Sequence, residues 1–166
     1  DDEYGHARFD TKRSEVGELL YRFKYAQDKS GVRLLAETAA EFVRSQRWPV
    51  EAIVPVPPSR ETRVFQPLQI LARALGESLG IPVQSDCIAK TRSTPELKSV
   101  TAYDERLKLL DGAYAVFAKP IIGRKVLLLD DLYRSGATLK AAYSTIAKSG
   151  VSEVYVLAIT KTRVKR

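Results

Sequence analysis

The stretch KVLLLDDLYRSGATL, residues 125–139, constrains this chain more than any other. Its apolar run, Val126, Leu127, Leu128 and Leu129, ends in two adjacent carboxylates, Asp130 and Asp131. A short turn around Gly136 then opens a helix. Four continuous apolar residues bounded by charge suit a strand covered on both faces, as in a parallel sheet. The turn Arg134-Ser135-Gly136-Ala137-Thr138 gathers small and hydroxyl residues where a helix would start. Backbone N–H groups and the positive dipole end make such a start an anion site. Carboxylates beside a phosphate cradle imply a ligand with both hydroxyls and a phosphate, such as a ribose phosphate with a divalent cation.

The rest of the chain supplies the layers that this strand needs. After a polar lead-in (residues 1–13), Ser14 and Glu15 cap a helix carrying Val16, Leu19, Leu20 and Phe23, expected to end near residues 29–31. A second helix is expected over residues 32–46, with Leu35, Ala39, Phe42 and Val43 inward, stopped by Trp48-Pro49. Residues 52–56 read as the first core strand, with Pro55 near its end. A helix with Leu68, Leu71, Ala72, Leu75 and Leu79 follows, stopping at Gly80. Residues 83–90 read as a second strand, alternating Val83, Ser85, Cys87 and Ala89. Residues 91–101 form a loop, 102–110 a short helix, 113–117 a third strand and 126–129 the fourth. A helix through Leu139, Ala142, Tyr143 and Ile146 precedes a fifth strand at 154–159. Strands alternating with helices predict an α/β fold with a mostly parallel, five-stranded sheet. Ligands then bind beyond the carboxyl ends of the strands, where the loops at 57–63, 91–101 and 130–138 converge.

Composition narrows the class. The 166 residues, 45% hydrophobic and 28% charged, suit one soluble globular domain with a full core. No apolar run is long enough to span a bilayer and no signal peptide is visible, so a cytoplasmic, non-membrane protein is expected. The single Cys87 excludes an internal disulfide and a cysteine-based zinc cage within these residues. The net charge of +7 reads first as a solvated basic surface, and it also suits a polyanionic partner, equally nucleic acid or a small ligand. Methionine is absent, including at position 1, so an N-terminal segment is expected to be missing from the chain.

A strand, Asp-Asp and then Ser-Gly-x-Thr, here LLLDDLYRSGATL, resembles the phosphoribosyl pyrophosphate (PRPP) motif of type I phosphoribosyltransferases. More narrowly, the chain resembles the ComF, or GntX-like, family of bacterial competence proteins. The residues carrying that resemblance are LLYRFKY (19–25), IVPVPPSR (53–60), Arg63 with Phe65, Lys90-Thr91-Arg92, and Arg106 followed by Gly112-Ala113-Tyr114. The chain departs from the family at Val64, Gln66 and Pro67, at Leu109 where Asn is usual, and at Arg134 where Thr is common. The resemblance implies a single phosphoribosyltransferase-fold domain over 1–166, a helical hood at 1–50 and an α/β core at 51–166. Many relatives add a cysteine-rich, zinc-binding N-terminal segment.

The resemblance also assigns roles. Asp130 and Asp131 would take the ribose 2′- and 3′-hydroxyls, with Mg2+ held mainly through PRPP beside them. Ser135, Gly136, Ala137 and Thr138 would hold the 5′-phosphate. Arg134 either joins them or points to solvent. Pro57, Pro58, Ser59 and Arg60 correspond to the pyrophosphate loop. Lys90, Arg92 and Lys98 belong to the mobile loop that closes over the site, Lys98 reading more readily as a surface lysine. The implied catalytic set is Asp130, Asp131 and Arg92, with Tyr133 bordering the acceptor base.

Two functions stay open. One is phosphoribosyl transfer to a nitrogenous base with release of pyrophosphate. The other is a non-catalytic, PRPP-binding regulator in DNA uptake or processing, with single-stranded DNA or a DNA-processing protein as partner. A receiver-like or hydrolase use of the acid pair is a third reading and predicts metal binding without PRPP. A homodimer is also left open. The acceptor is not encoded in any recognisable pattern.

Overall fold

The structure is a computed structural model and describes residues 13–58, 65–91, 102–117 and 119–162. The order is α1 (Glu15–Tyr25), a 3-10 turn (Lys29–Gly31), α2 (Val32–Ser45), β1 (Ala52–Pro55), α3 (Pro67–Leu79), β2 (Ile88–Lys90), α4 (Tyr103–Leu110), β3 (Tyr114–Val116), β4 (Lys125–Tyr133), α5 (Ala137–Ala147) and β5 (Glu153–Lys161). β1, β4 and β5 form a parallel sheet with β4 in the middle. Among the described residues no helix is long and apolar enough to cross a membrane.

The α/β class stands, but the five strands do not make one sheet. The segment expected as a single strand at 83–90 is broken by a turn at Ser85 and Asp86. Cys87 Sγ donates to the Gln84 carbonyl across that turn (3.2 Å). Val83 therefore makes one isolated parallel bridge to Ile53, and β2 leaves to pair antiparallel with β3. The helix ends also differ. α1 stops at Tyr25 because Gln27 takes a left-handed φ of 55°, after which Asp28 accepts from the Ser30 amide (3.0 Å) to start the 3-10 turn. Phe42, expected inward on α2, is 44% exposed and instead meets Trp48 edge-on at 5.7 Å.

β4 is buried on both faces along its apolar run, and alternation sorts its side chains between two cores. Leu127 and Leu129 join Ile53 under α1, α2 and α3. Val126 and Leu128 join Val54 and Val56 under α5 and the β2–β3 arm. The N-terminal helices are thus a structural layer of the sheet. Phe23 of α1, fully buried, packs edge-to-face on Phe65 at 5.5 Å.

α3 closes on the sheet at Gly76. A Cβ there would lie 2.7 Å from Val83 Cγ2 and 2.9 Å from the Ile81 carbonyl oxygen, which is backbone and cannot step aside. Helix propensity favours alanine by about 0.5–1 kcal/mol, whereas overpacking costs about 1–3 kcal/mol. Gly76→Ala is expected to destabilise the fold on balance, read as a lower urea midpoint.

Candidate functional site

β4 does not end where its apolar run ends. β5 is equally long, and the parallel ladder continues through Asp130↔Ala158, Leu132↔Thr160 and Tyr133↔Lys161. The acid pair expected just past the strand therefore lies inside it. Pleating sends the two carboxylates to opposite faces. Asp131 shares a face with Leu127 and Leu129 and meets α1, where Lys24 Nζ lies 2.7 Å from its Oδ2. Thr160 of β5 donates its hydroxyl to the Asp131 carbonyl (3.0 Å), tying the strand end down.

Asp130 emerges on the other face, with Val126 and Leu128. Its Oδ1 accepts the Asp131 amide at 2.9 Å. Burial, and then the neighbouring Asp131 charge, push its carboxyl up to about 7. Tyr114 of β3 is buried on this face, and its hydroxyl has no hydrogen-bond partner among the described residues. Burial and the Asp130 charge both hold that phenol above its ordinary range. Lys90 is the register partner of Tyr114, so the β2–β3 arm carries it to the same region. Burial lowers the Lys90 ammonium.

The turn Arg134–Gly136 then leads into α5. Gly136 has φ +77°, a conformation that favours glycine. No side chain caps the helix and its first turn carries no acid, unlike α1 with Ser14, Glu15 and Glu18. Ser135 Oγ accepts from the Ala137 amide at 3.4 Å. Ala137 itself is buried, and Thr138 is partly buried. Arg134 is exposed. The ring of Tyr133 crowds the turn, with its Oη 2.7 Å from where a Cβ on Gly136 would stand. Lys161 Nζ is 5.5 Å from the Tyr133 ring centre.

The structure thus joins Asp130, Asp131 and the residue 134–138 turn in one continuous strand-to-helix unit. Pro57 and Pro58 follow Val56, whose amide donates to Leu129 (2.9 Å), so that loop leaves beside the same strand end. Ser59, Arg60, Arg92 and Lys98 lie outside the described residues. Two participants were missed from sequence, Lys24 and Tyr114. The signal for Lys24 was available, since it stands one turn after Leu20 on the inward stripe of α1. A cavity of about 760 Å3, lined by Arg73, Val83, Gln84, Cys87, Phe117 and Lys119 among others, shares no residue with this unit.

Among the described residues no cluster of three or more His, Cys, Asp or Glu could hold a metal ion. Two carboxylates, one already paired with lysine, are too few to cage a divalent cation. They fit Mg2+ shared with ligand oxygens, because Mg2+ binds through one or two carboxylates plus substrate phosphates.

No protein-family model matches the chain. It is 27% identical over 152 residues to competence protein F of Haemophilus influenzae, covering 86% of this chain and 66% of that protein. It is 28% identical over 124 residues to a uracil phosphoribosyltransferase of Streptomyces avermitilis, covering 74% and 56%. The chain spans less than two thirds of the length of these curated relatives. Among solved structures it is similar to adenine phosphoribosyltransferase from Thermoanaerobacter pseudethanolicus, at 15% identity and a TM-score of 0.54 over 82% of this chain and 84% of that one. The fold is that of the phosphoribosyltransferases, and the chain is similar to competence protein F.

The carboxyl of Asp130 gives a pH test. The folded state keeps this proton up to about 7, whereas an ordinary aspartate releases it near 3.8. Between those values the folded state binds more protons than the unfolded one, so stability falls as pH rises through this window. Asp130→Asn is expected to flatten that fall and to stabilise the ligand-free protein at about pH 8 by about 1 kcal/mol or more. Urea unfolding across pH checks it.

Proposed function

We propose that this chain binds PRPP with Mg2+ and transfers the phosphoribosyl group to a nitrogenous base, releasing pyrophosphate. The observation that carries the reading is the strand-to-helix unit. Asp131 opens the last third of β4 with Asp130 just before it, four residues separate Asp131 from Gly136, and α5 starts there with neither a side-chain cap on Gly136 nor an acid in its first turn. Paired carboxylates accept hydroxyl protons, and an open helix N-terminus accepts a phosphate. The similarity to a uracil phosphoribosyltransferase supports the same reading.

In this reading Asp130 and Asp131 receive the ribose hydroxyls, and the backbone of residues 135–138 holds the 5′-phosphate. The resemblance gives Pro57, Pro58, Ser59 and Arg60 the diphosphate. Lys90 stands beside the site at the end of β2, and the resemblance gives Arg92 and Lys98 the part of excluding water from an oxocarbenium-like transition state. When bound, Mg2+ supplies charge neutralisation on the ribose and pyrophosphate oxygens. The protein's task is to position the sugar and stabilise the leaving group.

A second reading, a non-catalytic PRPP-binding regulator of DNA uptake, is favoured by the likeness to competence protein F across 86% of the chain. Tyr21 and Tyr25 of α1 add to it. They are exposed, with ring centres 4.8 Å apart and planes tilted by 40°, and the Arg13 guanidinium lies 3.8 Å from the Tyr21 ring centre. Aromatic rings beside cations are a sequence-tolerant platform for single-stranded nucleic acid.

Calorimetric titration with PRPP and Mg2+ decides the ligand. Wild type is expected to bind, and Asp130→Asn/Asp131→Asn to lose about tenfold or more, since hydrogen bonds to charged groups contribute about 1.5–3 kcal/mol. Silence from the folded wild type would sink the assignment. Base-dependent pyrophosphate release then supports transfer. Silence across a panel of bases, together with salt-dependent affinity for single-stranded DNA, supports the regulator.

A further inference from the structure

Lys24 sits where α1 would be expected to place an apolar residue. It follows the buried Phe23 and stands one turn after the buried Leu20. Its stem enters the contact between α1 and the sheet, and its ammonium reaches Asp131 Oδ2 at 2.7 Å. The two side chains are only 21% and 17% exposed. By contrast, the ion pairs Arg13–Glu18, Arg22–Asp28 and Arg33–Glu37 join near neighbours, each with at least one side chain half exposed or more. Lys24–Asp131 instead joins the first helix to the strand that carries the acid pair.

We propose that Lys24 is a positioning residue of the sugar site, a resident cation that fixes the Asp131 carboxylate and offsets its charge before ligand arrives. This rests on the phosphoribosyl reading above. The ammonium occupies Oδ2, and a carboxylate has two oxygens with about four acceptor directions, so Oδ1 stays available to a ribose hydroxyl. Adjacent carboxylates repel, and an anionic sugar phosphate brings further negative charge to the same strand end. A cation already in place lessens that repulsion without reorganisation at binding. It also performs, from the protein side, part of the neutralisation that Mg2+ would bring. Binding should therefore depend less on Mg2+ when Lys24 is present than when it is absent.

The test uses ribose 5-phosphate and PRPP, each titrated with excess chelator and with saturating Mg2+, against wild type, Lys24→Gln, Lys24→Met and Lys24→Arg. Without Mg2+, Lys24→Gln is expected to weaken ribose 5-phosphate binding on the order of tenfold. With Mg2+ the loss should shrink to a few-fold. Lys24→Arg retains the charge and should recover most of the affinity, and Lys24→Met, which preserves the packed stem, should behave as Lys24→Gln. In an Asp131→Asn background, Lys24→Gln should cost nothing further. An equal loss with and without Mg2+ would mark a structural role and overturn the proposal, as would unchanged affinity in both Gln and Met variants. If wild type binds neither ligand, the phosphoribosyl reading falls and takes this one with it. If wild type binds and the variants match it, only the Lys24 assignment falls. Should Gln and Met both fail to fold, the Mg2+ dependence of Lys24→Arg decides. A dependence like that of wild type supports the proposal, and a steeper one overturns it.

Discussion

The ladder on both sides of β4 is the constraint on which the rest of this structure depends. β1 and β5 both run parallel to it, which leaves Val126, Leu127, Leu128 and Leu129 with no face to water. Parallel pairing requires crossover connections, and the crossovers are the helices that cover the two faces. Because β5 continues to Lys161, hydrogen bonding outlasts the hydrophobic run. Two carboxylates are thereby fixed in extended backbone, one on each side of a rigid strand.

That placement makes the acids unequal. Asp131 meets a lysine and sits beside a helix. Asp130 meets the buried face of Tyr114 and α5, and burial, with its neighbour's charge, keeps its proton on up to about 7. One acid thus carries an ion pair with Lys24, while the other keeps its proton up to about 7. A carboxyl group perturbed by burial and a neighbouring charge in this way is a recurrent feature of functional sites. The asymmetry arises from the pleat and needs no further device.

Much of this was legible in the sequence, and the losses have physical causes. The apolar run, the acid pair and Gly136 marked β4 and the start of α5, because each obeys a local rule of burial or backbone conformation. The length of β4 was underestimated since a polar residue in a strand looks like an end unless its partner's length is known. The single strand expected at 83–90 failed for the opposite reason. Val83, Ser85, Cys87 and Ala89 alternate correctly, but a turn at Ser85 and Asp86 sends β2 to a different partner. Phe42 satisfied helix periodicity and still faces outward, because Trp48 rather than the sheet receives it. Lys24 was hidden by the habit of reading lysine as solvent-facing. Its place on the inward stripe of α1 was visible, but its partner Asp131 lies far along the chain and no local pattern names it.

The local conflicts at the end of β4 point the same way. Two adjacent acids repel each other, and a helix start lacking a side-chain cap forgoes about 0.5–2 kcal/mol. Gly136 adds backbone freedom to the unfolded chain, and Tyr133 must crowd against it because no Cβ stands in the way. Each feature weakens the ligand-free fold, and sequences usually break local rules where function requires it. A ligand presenting neighbouring hydroxyls to the acids and a phosphate to the helix relieves both electrostatic conflicts together. Tyr133 is 37% exposed, so its ring is open to solvent on the side away from Gly136. The arrangement that is poor for stability is therefore well matched to a sugar phosphate.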